Sequence, residues 1–305
     1  MPRVADVSLA IATVDRPAAL GRCLDGVLSA DVLPAEIIVI DQSDGDATRA
    51  AVATRQRTDV DLRYVRAEQR SASAARNTGI RAASSPLFAV TDDDCVPDDD
   101  WIATLARTLA APDGPEAVTG RVLALGPSTP GTFAVSLRQS TVRADFKGRA
   151  KPWLVGTGGN FAARREWLQR VAGYDERLGP GSPGKAAEDM DLIYRLLRAG
   201  ARIRYEPDAV IYHERKSLAD RRASRRTYGY GMGAFFALAL RSGDVGMVAP
   251  LTSWLLGQSL TLGRALAARR AEDARHPALS IRGLAAGMAY GWVAHDQPRA
   301  GRTFA

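Results

Sequence analysis

The sequence predicts an α/β protein with a mostly parallel central sheet, helices on both faces of that sheet and a helical C-terminal extension. Short runs that are apolar nearly throughout alternate with segments of helical periodicity over residues 7–91. Charged residues follow directly after these apolar runs, which is typical of strand ends that carry a site. Residues 216–305 instead hold a basic run and a long uncharged segment.

Four strands and three helices are predicted in the first part of the chain. The strands cover residues 7–13, 36–41, 62–65 and 87–91. The helices cover residues 17–29, 46–57 and 71–83. Strands without polar alternation are buried on both faces, so they indicate a parallel sheet whose carboxyl edge binds the ligand.

The middle of the chain adds fewer elements. A strand is predicted at 117–125, a helix at 188–199, and two short strands at 202–205 and 209–212 lead to His213. Residues 156–163, GTGGNFAA, place three glycines before an asparagine. Such a run indicates an unusual backbone conformation or a close approach to a ligand.

Positive charge is concentrated in the second half of the chain. The net charge is +7, made up of −5 over residues 1–140 (14 basic, 19 acidic) and +12 over residues 141–305 (27 basic, 15 acidic). This surplus suits an anionic partner, which could be a phosphate-bearing ligand, a nucleic acid or a membrane face. Residues 215–226 hold six basic residues against one acid, and residues 245–263 hold no charge. We expect amphipathic helices that pack on the domain or lie on a membrane surface.

Three consecutive aspartates, Asp92, Asp93 and Asp94, end the fourth predicted strand. Like charges this close repel one another, so a cation is expected among them. Carboxylates are the ligands that hold Mg²⁺ or Mn²⁺, with substrate phosphates completing the shell. Strand alternation places Asp92 and Asp94 on one side and Asp93 on the other. The acidic residues at 98–100 are interpreted as a solvated turn that caps the next helix.

Two further features are less specific by themselves. Glu188 and Asp189 begin a helix, where acidic residues also serve as caps and dipole partners. The glycine-rich loop at 179–184 before them suggests a flexible lid. His213 ends a strand, a position that is often structural, although a hard ion held by carboxylates could also use one imidazole.

The order of these motifs resembles the family 2 glycosyltransferases, which have the GT-A fold and use nucleotide-sugar donors with inversion. The segments that carry the resemblance are VSLAIATVDRP, EIIVIDQSDGD, SASAARNTGIRAA, TDDDCVPDDDW, GTGGNFAARREWLQRVAGYDERL, EDMDLIYRLLRAG and YEPDAVIYHE. They span about residues 5–215. The resemblance therefore predicts a GT-A catalytic domain at 1–215 and a C-terminal helical extension at 216–305 that is a candidate for membrane association.

The resemblance also implies roles for particular residues. Donor-side residues are Thr13, Asp15 and Asp41 at the nucleoside, with Arg70, Arg76, Asn77 and Asp92 at the rest of the donor. Asp94 and His213 would hold Mg²⁺ or Mn²⁺, and Asp189 would be the general base. The acceptor side would be formed by Gly159, Asn160 and Glu188.

These roles predict transfer of one sugar to a hydroxyl of a saccharide, a lipid-linked acceptor or a small molecule. The Gln-x-x-Arg-Trp motif of processive synthases is absent, so single additions are expected. Val14 stands where the family usually has an aromatic residue, and Asp15 replaces its Asn, so the donor base is left open. No leader peptide is evident in the opening residues, which favours a cytoplasmic location, at the inner membrane face if the C-terminal helices bind there.

Three alternatives are weaker. A sugar-nucleotide nucleotidyltransferase would need a glycine-rich loop after the first strand, and TVDRPAAL has no glycine. A non-catalytic nucleotide-sugar-binding protein at a membrane would not depend on Asp92 and Asp94. A nucleic-acid partner is not expected, because no aromatic residues interleave the basic run.

Overall fold

The computed structural model describes residues 3–294, and a nine-stranded mixed sheet forms its centre. The strands are β1 (Arg3–Thr13), β2 (Val32–Asp41), β3 (Asp61–Arg66), β4 (Leu87–Asp92), β5 (Cys95–Pro97), β6 (Ala117–Ala124), β7 (Thr132–Phe133), β8 (Ala144–Phe146), β9 (Phe161–Arg164), β10 (Ile203–His213) and β11 (Lys216–Ser217). The helices are α1 (Pro17–Leu28), α2 (Ala47–Ala53), α3 (Ala72–Ala82), α4 (Trp101–Ala110), α5 (Pro152–Val155), α6 (Arg165–Arg170), α7 (Glu188–Arg198), α8 (Leu218–Arg241), α9 (Val248–Ala267) and α10 (Ala271–Ala294).

The strand order across the sheet is β3-β2-β1-β4-β9-β6-β10-β5, with β8 added on β10. Strands β3, β2, β1, β4, β6 and β10 run in one direction, and β9, β5 and β8 run against them. Strands β7 and β11 form a small separate ribbon. The predicted mostly parallel sheet is confirmed, and its carboxyl edge gathers the ends of β1, β2 and β4.

Helices cover both faces of the sheet, as predicted. On one face α1 and α4 bury apolar side chains against the strands, among them Leu20, Leu24 and Leu105. On the other face α3 and α7 do the same, with Ile80 and Ile193 in the buried layer. The strands are apolar on both sides because neither face meets water.

Several element boundaries differ from the sequence prediction. Helix α2 ends at Ala53, four residues earlier than expected, and β1 begins at Arg3. The two strands predicted at 202–205 and 209–212 are one strand, β10, whose pairing with β6 shifts register between Glu206 and Val210. Pro207 lies in this irregularity, where its missing N–H leaves no ladder hydrogen bond unmade.

The C-terminal extension consists of α8, α9 and α10, with a 3-10 turn at Val245–Met247 between α8 and α9. Helices α8 and α10 approach so closely that a Cβ on Gly287 would lie 1.8 Å from the carbonyl oxygen of Tyr230. None of the helices within residues 3–294 is long and apolar enough to cross a membrane. The domain division at residue 215 stays a prediction, and its outer limits at 1–2 and 295–305 lie outside the described residues.

Candidate active site

Asp93, directly after β4, is buried at the carboxyl edge of the sheet. Its side chain is 0% exposed and accepts a hydrogen bond from the Thr13 hydroxyl at 2.7 Å. The guanidinium of Arg16 lies 2.6 Å from its other oxygen. Burial raises the pKa of Asp93 to about 7, although the charge of Arg16 opposes this shift. The hydroxyl of Thr13 thus bonds to Asp93, and the expected role of Thr13 at the nucleoside stays a prediction.

Asp94 and His213 meet beside this edge. Nε2 of His213 lies 3.6 Å from a carboxylate oxygen of Asp94, and both side chains are buried. Nδ1 of His213 lies 2.8 Å from the carbonyl of Glu214, so a proton on Nδ1 leaves the Nε2 lone pair facing the carboxylate. Strand β10 delivers His213 here because its last residues pair with β5, directly after Asp94.

The donor set at this position fits a divalent cation. Ligand atoms of Asp94, Cys95 and His213 all lie within 4.8 Å of one another. Burial raises the pKa of the Cys95 thiol well above its usual range, so the sulfur stays protonated and is a poor ligand for a hard ion. The carboxylate and the imidazole are therefore the two ligands that suit Mn²⁺ or Mg²⁺.

A cavity of about 730 Å³ opens beside Asp94. Arg16 lies 3.1 Å from the Asp94 carboxylate and Lys216 lies 3.8 Å from it, and both line the cavity. Lys185, from the loop before α7, and Tyr228, from α8, line the same space. The cavity lining thus carries four cationic side chains, Arg16, Lys185, Arg215 and Lys216, against three acidic ones, Asp94, Glu214 and Asp220. Cationic side chains of this kind can hydrogen-bond a phosphate group.

Sequence reasoning missed the cavity roles of Lys185, Lys216 and Tyr228. Lys216 belongs to the basic run at 215–226, whose charge was the one signal that could have pointed to it. Tyr228 follows that run on α8, and nothing in its local pattern distinguishes it from a packing residue.

Arg76 joins the donor side to the start of α7. Its guanidinium lies 2.6 Å from Glu188 and 2.8 Å from Asp92, and it stacks 5.4 Å from the centre of the Tyr174 ring. Burial raises the pKa of Glu188, and Arg76 only partly offsets this. Burial alone would also raise the pKa of Asp92, but the charges of Arg76, His213 and Arg16 and the hydrogen bond from Arg76 together outweigh it, and the net shift is downward. Arg76 therefore helps to keep Asp92 ionised beside a second carboxyl.

Asp189 is held by two backbone N–H groups. One carboxylate oxygen accepts from Gly158 at 3.0 Å and the other accepts from Met190 at 2.8 Å. Burial raises the pKa of Asp189, although these hydrogen bonds and Arg76 oppose the shift. A carboxylate whose pKa is raised and which has lone pairs to spare is better suited to accept a proton than an ordinary aspartate.

The glycines at 158 and 159 separate two carboxylates. A Cβ on Gly158 would lie 2.9 Å from the Cβ of Asp189, and a Cβ on Gly159 would lie 2.6 Å from a carboxylate oxygen of Asp92. The glycine run predicted an unusual backbone or a close approach to a ligand. At these two positions the close approach in the structure is to the protein's own Asp189 and Asp92, and the approach to a ligand stays a prediction. The segment passes between the β4 end and the α7 start without room for a side chain.

The loop before α7 is anchored rather than free, which differs from the lid that its glycines suggested. Ala72 donates its N–H to the carbonyl of Pro180 at 2.9 Å, and the hydroxyl of Ser73 donates to Leu178 at 2.7 Å. Lys185 and Ala187 adopt left-handed backbone conformations with φ of 67° and 68°. This backbone is sterically costly for residues with a Cβ, and the packed loop holds it in place.

The predicted nucleoside residues lie at the carboxyl ends of β1 and β2. Asp41 accepts hydrogen bonds from the backbone N–H of Ser43 at 2.9 Å and the Tyr64 hydroxyl at 2.8 Å. Arg70 lies 3.0 Å from Asp15, on the exposed side of this edge. Tyr64 was not anticipated as a partner of Asp41, because the sequence predicted only a strand at 62–65 and gave no role to its ring.

Asn77 and Asn160 do not face the cavity. The amide of Asn77 donates to the Tyr174 carbonyl and to Glu176, both at 2.9 Å, and its oxygen accepts from the Tyr174 N–H. The amide of Asn160 accepts from the Trp101 indole at 2.9 Å and donates to backbone carbonyls. Both side chains are 0% exposed, so the structure gives them a role in fixing backbone segments near the site.

The model of glycosyl transferase family 2 matches residues 8–172, more than half of the chain. The chain belongs to glycosyl transferase family 2. The matched residues contain the ends of β1, β2 and β4 and the two-glycine segment.

Curated relatives in this family are similar over part of their length. The pre-mycofactocin glycosyltransferase of Mycobacterium tuberculosis is 31% identical over 179 residues, which cover 56% of this chain and 36% of that protein. Glycosyltransferase AglE of Haloferax volcanii is 24% identical over 82% of this chain and 80% of its own length. The chain spans about a third of the first of these relatives.

Solved structures share the fold. Mannosyltransferase PcManGT from Pyrobaculum calidifontis, in complex with GDP-Man and Mn²⁺, has a TM-score of 0.58 and 18% identity, covering 98% of this chain and 90% of that one. S. aureus TarS 1–349 has a TM-score of 0.61 and 14% identity, covering 98% and 93%. The same TarS fragment in complex with UDP-GlcNAc has a TM-score of 0.57 and 12% identity, covering 90% and 91%. The GT-A fold expected for family 2 is thereby confirmed.

Proposed function

We propose that this protein transfers one sugar from a nucleotide-diphosphate donor to an acceptor hydroxyl, with inversion at the anomeric carbon. One observation carries the proposal. A two-glycine segment separates Asp92 from Asp189, while Asp94 and His213 meet at the same sheet edge. Asp92 and the candidate base Asp189 thus flank one backbone segment, and Asp92 is only two residues from Asp94 at the end of β4.

A nucleotide-sugar donor is supported by the charge around the cavity and by the ligands of the solved neighbours. Arg16 and Lys216 lie close to Asp94, so a diphosphate placed there would meet positive charge from both sides. The neighbours bind GDP-Man or UDP-GlcNAc. A donor screen therefore has to contain both purine and pyrimidine nucleotide sugars.

Asp94 and His213 are the residues that would hold a divalent cation, since their ligand atoms converge and Cys95 stays a protonated thiol. When bound, Mn²⁺ or Mg²⁺ would act as a Lewis acid that stabilises charge on the departing diphosphate.

The acceptor hydroxyl has a high pKa in water and needs a base as it attacks. We assign this role to Asp189, whose carboxylate is oriented by the N–H groups of Gly158 and Met190. The acceptor proton passes to Asp189, the acceptor oxygen bonds to the anomeric carbon, and the bond to the diphosphate oxygen breaks. A single displacement without an enzyme nucleophile inverts the anomeric centre.

Glu188, which lies next to Asp189 in the first turn of α7, has a different role. It forms the ion pair with Arg76, which in turn holds Asp92. We place Glu188 at the acceptor side as a positioning residue, because its carboxylate is committed to Arg76.

The test is a screen of nucleotide sugars with the purified full chain, with and without Mn²⁺. A true donor at about 100 times its Kd stabilises the folded protein by roughly 2.7 kcal/mol. Turnover should release a nucleoside diphosphate and give a product with inverted anomeric configuration by NMR. Release of pyrophosphate would indicate a nucleotidyltransferase instead, and the absence of stabilisation by every nucleotide sugar would contradict the proposal.

A further inference from the structure

Helix α9 is almost entirely uncovered within the described part of the chain. It is 20 residues long, about 30 Å, and Ala265 is its one buried residue. Its inner side rests on the other helices through Leu251 and Trp254, and the Trp254 ring packs against Phe236 on α8. The rest of the helix faces outward.

The outward side of α9 is apolar. Leu256 is 59% exposed, Leu260 is 51% exposed and Leu266 is 61% exposed, and Val248 and Leu255 are exposed as well. At 100° per residue these five side chains fall on one half of the helix, together with Thr252, Ser259 and Gly263. No described residue covers this face, and a contiguous exposed apolar face of this length marks an interaction surface.

Positive charge is placed at one end of the same helix. Arg264, Arg269 and Arg270 are exposed, and residues 245–271 contain no acidic residue. Beyond them, Asp273 lies 4.0 Å from Arg270. A groove of about 470 Å³ at this end is lined by Arg225, Arg264 and Arg270, by the carboxylate of Asp273, and by uncharged polar and small apolar residues. Burial and the charge of Arg221 lower the pKa of Arg225, as expected where cations crowd.

We infer that the outer face of α9 and the arginines at its C-terminal end form a docking surface for an anionic lipid bilayer. Leucine side chains of a helix lying in the interface enter the acyl boundary while arginines meet lipid phosphates. A second copy of the chain is a poorer occupant, because the arginine end of the same surface on that copy also carries a surplus of positive charge, with Arg225, Arg264 and Arg270 against Asp273. This inference does not depend on the transferase proposal.

The test measures flotation of the full chain with vesicles at 0.15 M salt. Vesicles of phosphatidylcholine alone are compared with vesicles that contain 30% phosphatidylglycerol. We expect binding that requires phosphatidylglycerol. Each arginine near an anionic surface contributes about a factor of five to the binding constant, so the triple variant Arg264→Gln/Arg269→Gln/Arg270→Gln should bind about 100-fold more weakly.

The apolar face is tested separately. Leu256→Glu/Leu260→Glu removes two inserted side chains and should also weaken binding about 100-fold. Matched controls are Val4→Glu/Val142→Glu, two exposed valines outside the C-terminal helices, and Arg3→Gln/Arg81→Gln/Arg107→Gln, three exposed arginines elsewhere. Circular dichroism and gel filtration establish that each variant folds.

Four outcomes would overturn the inference. The first is no binding of the wild-type chain to phosphatidylglycerol vesicles. The second is equal loss of binding in the control variants. The third is binding that the leucine variant retains and inorganic phosphate abolishes, which would make the groove a site for free phosphate. The fourth is a wild-type dimer in gel filtration that Leu256→Glu/Leu260→Glu converts to a monomer, which would make this face an interface between copies.

Discussion

Removing Arg76 should expose how the two sides of the site are coupled. The side chain is buried and bridges Glu188 at 2.6 Å and Asp92 at 2.8 Å. In Arg76→Met both ion pairs are lost while apolar volume is kept. Breaking a buried pair by removing one partner costs about 3–5 kcal/mol, mainly because the remaining carboxylate is left without a counter-charge.

The cost should depend on pH with a definite sign. Burial already raises the pKa of Glu188, and loss of Arg76 raises it further. The folded variant then holds a proton that the unfolded chain releases, so its stability falls as pH rises through the folded-state pKa. We expect a loss of about 4 kcal/mol at pH 8 and less than about 2 kcal/mol at pH 5.

The assay is urea unfolding followed by circular dichroism at both pH values. Arg81→Met, an exposed position on the same helix, is the control and should change stability by less than about 0.5 kcal/mol. The double variant Arg76→Met/Glu188→Gln should recover part of the loss at pH 8, because it removes the stranded carboxylate. Equal losses at both pH values, or no recovery in the double variant, would show that the reasoning is wrong.

Further predictions concern the base, the metal ligands and a carboxylate below the site. Asp189→Asn should lower turnover by about 10²–10⁴-fold while the Kd for a nucleoside diphosphate, measured by calorimetry, stays within a few-fold. Because burial raises the pKa of Asp189, kcat should fall on the acid side at a pH above the usual aspartate range, as a pH–rate profile would show. Asp94→Asn and His213→Ala should each weaken Mn²⁺ binding at least about tenfold, measured by the loss of the free-ion EPR signal. The pKa of Glu36 is lowered to about 2 by hydrogen bonds that outweigh its burial, so it stabilises the fold above pH 4.5 and loses this effect as pH falls towards 2. Glu36→Gln should therefore lower stability by about 2 kcal/mol at pH 7 and much less at pH 3 in denaturant titrations.

Much of the fold was predictable because its strands are apolar on both sides, whereas its helices are apolar on one face only. The runs at 36–41 and 87–91 have no polar alternation, which identifies buried parallel strands without reference to their partners. The antiparallel strands β5 and β9 escaped prediction because they contain only three and four residues. Elements of that length are defined by their neighbours rather than by their own pattern.

The sequence predicted those site residues whose charges repel one another and need a counter-ion. It did not predict the residues whose role depends on contacts with distant parts of the chain. Asp92 and Asp94 stood out because adjacent carboxylates at a strand end need a counter-charge. The amides of Asn77 and Asn160 are consumed by backbone segments that no local pattern connects to them. Arg16 follows β1 and lies against Asp93 and Asp94. These two aspartates are about 78 residues away in the chain, so no local pattern could show the contact.

Strand β10 ends at His213, and α8 begins only five residues later at Leu218. Lys216 and Tyr228 on this connection and helix line the same cavity as Arg16, so one wall comes from each side of residue 215. Truncation after the sheet would leave a protein with its carboxylates in place but this cavity open to water on one flank. A force applied to the extension, by a bilayer or by any other tether, would therefore act on a chain segment that lies only a few residues from His213.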